Sequence, residues 1–179
     1  MFQRTRNYAK DYEHIGSTVH YRGKHYRFAM ERPELTRRKT AYAALLLAAL
    51  ALFAAAGFSG APALGAGGGQ APIYVMLPYV VLLLPLGLGL ARAVMLALIS
   101  RPLEFAEYDK YLVRQKAALL AALILGCATV AGMAAFSFFA GADASAHVLA
   151  LAETVLCTAC IFFALRQHHA LFACVTIDE

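Results

Sequence analysis

The sequence predicts an all-α membrane protein, a bundle of four transmembrane helices. A small cytosolic N-terminal β-hairpin and a short amphipathic interfacial helix between the second and third spans complete the expected fold. Three observations carry this reading. Of the 179 residues, 61% are apolar and only 15% charged, with a mean hydropathy of +0.60, far from the composition of a soluble domain of this length. Four apolar runs of about 20 residues each use most of the chain. The basic residues alternate with them: ten of the sixteen Lys and Arg precede Thr40, five lie between Arg92 and Lys116, and the last is Arg166. None falls within residues 58–71 or 141–146.

By the positive-inside rule this asymmetry puts both termini and the central link in the cytosol and two short links outside. The expected compartment is a bacterial-type plasma (inner) membrane. Residues 1–39 read as a cytosolic basic tail, 40–170 as the transmembrane domain and 171–179 as a cytosolic C-terminal tail. A cleaved signal peptide is not expected, because forty mostly polar residues precede the first apolar run. Cys127, Cys157, Cys160 and Cys174 all fall in a span or on the cytosolic side, so disulfides are not expected either.

In the N-terminal tail, Tyr8, Tyr12 and Ile15 recur at helical spacing between a capping Asn7 and a terminating Gly16, which predicts a short amphipathic helix. The period then changes. With Gly23 and Lys24 as a two-residue turn, Val19 faces Phe28 and Tyr21 faces Tyr26, while His20, Arg22, His25 and Arg27 take the other side. A lone hairpin is marginal in water, so this aromatic face is expected to dock on the helix ends, the lipid surface or a partner protein. Pro33 is expected to break the chain before a basic collar at residues 34–39. At the opposite terminus Ala173, Val175 and Ile177 alternate with other residues and can add a third strand to the hairpin.

The first span, residues 40–57, is almost wholly alanine and leucine, and Ala44, Ala48, Ala51 and Ala55 form a small-residue stripe that predicts its packing face. The uncharged, glycine-rich link that follows reads as a connector. The second span, residues 72–99, contains Pro78 and Pro85, each lacking an amide and crowding the preceding turn, so it is expected to be bent or locally unwound. Ser100 and Pro102 end it. Residues 103–116 start a new helix with Phe105, Tyr108 and Leu112 to one side, the pattern of an interfacial helix, which runs on into the third span at 117–140. A short link around Asp143 makes the third span and the fourth, residues 146–165, antiparallel neighbours.

Among chemical candidates, Glu153 is the one carboxylate expected within a span, roughly 10 Å along the helix from Ala146. An ionisable group there is either a proton or cation site or a hydrogen-bonded contact between helices. Arg92 stands nearer the cytosolic side, something like 15 Å away in depth, and is expected to snorkel to lipid phosphates. His147 is closer in sequence, near the outer interface, and pairs with Glu153 as a candidate proton path. Cys157 and Cys160 have C-x-x-C spacing but fall in the inner half with no outer cysteine, so they read as packing residues.

His168, His169 and Cys174, with His14, His20 and His25, match no ligand spacing, and no metal or other cofactor is expected. Nor is there a phosphate-binding glycine loop, a nucleophile elbow or a paired-carboxylate motif, so no catalytic role is expected. The basic tail beside a bilayer points to anionic lipid headgroups rather than nucleic acid. The functional expectation is a noncatalytic accessory or interaction subunit of a larger membrane assembly such as a transporter, bound to a membrane protein partner. The alternative is a small homo-oligomeric ion or solute carrier or channel using Glu153.

Overall fold

The computed structural model describes residues 12–15, 18–21, 23–59, 72–140 and 144–178. Four helical stretches are long and apolar enough to cross a membrane, as a multi-pass membrane protein requires. They are helix α1 (Arg32–Ser59), helix α2 (Ile73–Leu98), a third made of α3 (Phe105–Tyr108), a π-helical turn (Asp109–Val113) and α4 (Arg114–Ala140), and helix α5 (Ala144–Ala173). Named contacts fix their directions. Along α1, residues 42, 49 and 59 meet residues 168, 157 and 153 of α5, so the two run antiparallel. Gly89 and Gly132 likewise fix α2 against α4, through Gln115 and Tyr74. The bundle is a ring in which α1 packs on α5 and α2, and α4 packs on α2 and α5. Tyr42, Leu46, Leu82, Leu86, Leu119 and Ile161 fill its centre, while Leu77, Leu84, Leu88, Leu98 and Ile124 point outward, where a bilayer supplies the apolar surroundings.

The packing face of α1 lies opposite the expected one. Tyr42, Leu46, Ala49 and Ala56 are buried, whereas Ala44, Ala48 and Ala51 are exposed. The two sets are displaced by two positions, about 200° round the helix. On a helix apolar on every side the small residues do not choose the seam. The large ones do, because only they fill the centre of a four-helix ring.

Helix α2 continues through Pro78 and Pro85 without interruption, so the expected local unwinding is not found. Each proline still deprives the carbonyl four residues earlier of its donor, and for Pro78 that carbonyl belongs to Tyr74. Gly132 of α4 sits against it: a Cβ added there would lie 2.9 Å from the Tyr74 oxygen and 3.5 Å from the Val75 Cα. The close approach leaves room only for the glycine hydrogens, the geometry of a weak Cα–H···O contact.

At the other end of the bundle three distant segments meet in one antiparallel sheet, ordered β4 (Leu103–Glu104), β3 (His25–Phe28), β5 (Val175–Asp178). The register pairs Tyr26 with Leu103 on one side and Ile177 on the other, and Phe28 with Val175. The C-terminal tail thus does add a strand, but the expected hairpin is corrected. Val19 and Tyr21 lie in β2 (Thr18–Tyr21), which pairs with β1 (Tyr12–Ile15), opposite His14 and Tyr12. Tyr12 and Ile15 are therefore in a strand rather than a helix, and the remainder of the expected N-terminal helix, with Asn7 and Gly16, lies outside the described residues, as do most of the link from Gly57 to Ala71 and Asp143. The tight turn at Gly23 and Lys24 does not join partners. The strand after it finds more apolar cover elsewhere, with Tyr26 stacked on Tyr108 (centroids 4.1 Å) and 6.0 Å from Phe105.

That stacking also corrects the interfacial helix. The side carrying Phe105, Tyr108 and Leu112 packs on Tyr26, Leu96 and Leu103, so the chain's own sheet covers the face expected to lie on lipid. The π turn, not foreseen from the sequence, admits an extra residue and lets Asp109, Tyr111 and Leu112 all turn inward. Pro33 does not break the chain before the collar. It sits in the first turn of α1, where its missing amide costs nothing, and the collar is helical with Arg38 bonded to Glu34 at 2.7 Å.

Candidate functional site

Two polar groupings interrupt the apolar bundle, one at each end. At the end away from the sheet, Glu153 of α5 accepts a hydrogen bond from the Ser59 hydroxyl in the last turn of α1. Ser59 is further placed by its contact with the Ala55 carbonyl at 3.0 Å. Beside this pair Tyr79 of α2 donates to the Phe53 carbonyl at 2.6 Å, its ring stacked on Phe53 with centroids 4.3 Å apart. The Tyr79 hydroxyl fits because residue 57 is glycine: a Cβ there would come within 2.5 Å of it. One turn deeper, the buried Cys157 thiol donates to the Ala49 carbonyl at 3.2 Å. Thr154 donates back to Ala150 at 2.7 Å and lies 3.2 Å from the Met133 sulfur. The Ser59–Glu153, Tyr79–Phe53, Cys157–Ala49 and Thr154–Met133 contacts join neighbouring helices, while Ser59–Ala55 and Thr154–Ala150 lie within one. A carboxylate in this setting is held by a hydroxyl rather than by a cation.

The expected partners of Glu153 are elsewhere. Arg92 lies within electrostatic reach of Tyr42, toward the sheet end of the bundle. On α1 residues 42 and 59 are roughly 25 Å apart, so Arg92 and Glu153 belong to different ends. The side chain of His147 lies outside the described residues. Cys157 and Cys160 are unbridged, as are Cys127 and Cys174. Of the aromatic docking face, Tyr26 is buried and Phe28 half-buried against the molecule itself, and the side chains of Val19 and Tyr21 lie outside the described residues. Among the described residues no three His, Cys, Asp or Glu side chains gather where a metal ion could be held.

The second grouping was not visible as a site in the sequence. Gln115, fully buried at the head of α4, donates through Nε2 to the Tyr42 hydroxyl at 2.6 Å and to the Gly89 carbonyl at 2.9 Å, tying three spans together. The fit is close but not exclusive to glycine: a Cβ on residue 89 would meet Nε2 at 3.5 Å, an ordinary van der Waals contact. Gln115 carbonyl oxygen Oε1 and both ring nitrogens of the fully buried His168 have no hydrogen-bond partner among the described residues. Lys39, also buried, donates to the Ile99 carbonyl at 2.8 Å and lies over the Phe28 ring at 4.9 Å. It caps the C-terminus of α2, the negative end of that helix dipole, and pins β3 to it. Asp109, buried in the π turn, is bridged by Arg114 at 2.8 Å.

A signal for Gln115 existed. Leu112, Gln115, Leu119 and Ala122 follow the i, i+3, i+4 rule, so one polar residue stands in an otherwise apolar stripe facing the core. An amide there must find partners on neighbouring helices, because neither lipid nor Leu can supply them. Lys39 gave no such signal, reading as one more member of the collar. No protein family, no curated protein and no solved structure matches the chain.

Proposed function

We propose that this is a noncatalytic membrane protein of the bacterial-type plasma (inner) membrane, with both termini and the central link cytosolic, that serves as an accessory or interaction subunit of a larger membrane assembly such as a transporter. The observation that carries the reading is the three-stranded sheet. The chain draws residues from its N-terminal tail, its central link and its C-terminal tail into one layer on its arginine-rich end. β5 borders that layer with its second edge unpaired among the described residues, and Arg27, opposite Thr176 of β5, is exposed beside it. An open edge strand at the basic end of the molecule suits an extended segment of a protein partner, with anionic lipid headgroups beneath.

The test is isolation of the full chain from its native membrane in mild detergent after cross-linking. A stoichiometric membrane-protein partner lost on deletion of residues 175–179 supports the reading, and a chain that stays alone or only with itself refutes it. Orientation is checked at Cys174, the thiol between α5 and β5. A membrane-impermeant maleimide should label it in inside-out vesicles and not in right-side-out ones.

The alternative reading, a homo-oligomeric ion or solute carrier or channel, draws on Glu153, a partly exposed carboxylate in an apolar helix. Its test is flux in liposomes. Loss of a pH-dependent flux in Glu153→Gln would favour the carrier and overturn the accessory role.

A further inference from the structure

His168 stands at a joint. Its ring lies 6.0 Å from that of Tyr42 in the first span and 6.4 Å from Phe172, one turn on along α5. Phe172 stacks on Tyr108 at 5.9 Å, and Tyr108 on Tyr26 at 4.1 Å. A continuous file of rings therefore runs from the buried Tyr42–Gln115 hydrogen bond to the middle strand of the sheet. Between α5 and β5 only a single turn intervenes, in which the Cys174 amide donates to the Leu171 carbonyl at 3.3 Å and its carbonyl accepts from Ala29 at 2.7 Å. The helix at His168 and β5 are thus joined by a short, hydrogen-bonded connection.

The imidazole is fully buried, and neither nitrogen makes a hydrogen bond within the described residues. The groups around it are the Leu112 carbonyl of the π turn, which faces the ring outside hydrogen-bonding geometry, Lys116 of α4, His169 of its own helix and the Tyr42 ring of α1. Arg92 of α2 lies beyond Tyr42. None of these is a carboxylate, and the nearby buried one, Asp109, is occupied by Arg114. A neutral imidazole fits this site as one more flat ring. An imidazolium would bring a second N–H donor and a full charge into a buried, cation-flanked position with no anion beside it among the described residues.

We propose that His168 is a proton-operated latch. Neutral, it closes the end of the fourth span against Tyr42 and keeps the three-stranded sheet seated on the bundle. Taking a proton from the aqueous side, it leaves that position, α5 frays from His168 onward, and β5 parts from β3. The sheet edge and the face of Tyr26 are then available when the adjoining solution is acidic and withheld when it is neutral.

Amide exchange of the full chain in lipid nanodiscs, followed by mass spectrometry from about pH 8 to about pH 5 and corrected for intrinsic rates, tests this. Peptides covering residues 25–28 and 174–178 should exchange about tenfold faster or more at the acid end, while those covering 82–89 stay protected. His168→Phe preserves the file of rings without a titratable nitrogen and should hold protection across the range. His25→Gln and His169→Gln should keep the acid response. The ring's own titration, followed in wild-type protein by 13C-histidine NMR, should share its midpoint with the exchange and supplies the test if the phenylalanine variant does not fold. A wild-type sheet indifferent to pH, a response that persists in His168→Phe, one that vanishes in His25→Gln or His169→Gln, or a His168 midpoint apart from that of exchange would each overturn the latch.

Discussion

Replacing Gly132 by alanine isolates the closest backbone approach between the second and third spans. Alanine is the better helix former by about 0.8–1 kcal/mol, so a glycine-to-alanine change in an unconstrained helix interior should stabilise. Gly87 is such a position, with nothing within 4 Å of a Cβ added there. At Gly132 the same methyl would meet the Tyr74 oxygen at 2.9 Å and the Val75 Cα at 3.5 Å. Both are backbone atoms, so no rotamer change relieves the overlap and the helices must separate. Overpacking of this kind costs about 1–3 kcal/mol. Separation also uncovers the carbonyl that Pro78 leaves without a donor, where no water can replace the lost contact.

Gly126→Ala is intermediate, because the atoms it meets belong to the Thr158 side chain, nearest 2.8 Å, which can turn away. Reversible unfolding in mixed micelles should therefore rank Gly87→Ala above wild type, Gly126→Ala near it, and Gly132→Ala lowest, about 1–3 kcal/mol below Gly87→Ala. A Gly132→Ala protein as stable as Gly87→Ala would refute the packing argument and the account of how α2 tolerates its proline.

Other expectations follow from the polar groupings. Gln115→Leu should destabilise more than Tyr42→Phe in the same unfolding assay, since the first removes both bonds of the amide, to the Gly89 carbonyl and the Tyr42 hydroxyl, while the second leaves Gln115 bonded to Gly89. The difference should be about 1 kcal/mol. Lys39→Met keeps the length of the side chain but leaves the Ile99 carbonyl without its donor, and should cost about 1–3 kcal/mol and raise amide exchange in β3. Ser59→Ala should loosen the far end of α1 selectively, seen as faster exchange there with the sheet untouched. Cys157 should resist maleimide in the folded protein and react only on unfolding, whereas Cys174 reacts in both states.

The four helices were legible because length and apolarity alone decide what can cross a bilayer, and residues 73–98 needed no further context. The face each helix turns inward was less so. On α1 almost every residue is apolar, and the alanine stripe at 44, 48 and 51 looked like a seam while Tyr42 and Leu46 formed it. The strands at 25–28 and 175–178 were readable as strands, since Tyr26 and Phe28 alternate with His25 and Arg27. Their pairing was not, because a local turn at Gly23 and Lys24 offered an adjacent partner, whereas the true ones lie in the central link and at the far end of the chain. Glu153 stood out as a lone carboxylate, but its holder Ser59 sits just past the first expected span, where nothing distinguishes it from a link residue. His168 was noticed only as one of six histidines. Its burial comes from the π turn and from Phe172, which no spacing rule anticipates.

The sheet also orders events during biogenesis. Tyr26 emerges from the ribosome before Leu103, and Leu103 before its other neighbour, Ile177. The middle strand can pair on one side once β4 has emerged, but its other edge waits for β5, which follows the fourth span. The seated layer thus certifies that all four spans are in place: a chain stalled or clipped before β5 presents one bare edge of β3 to the quality-control machinery.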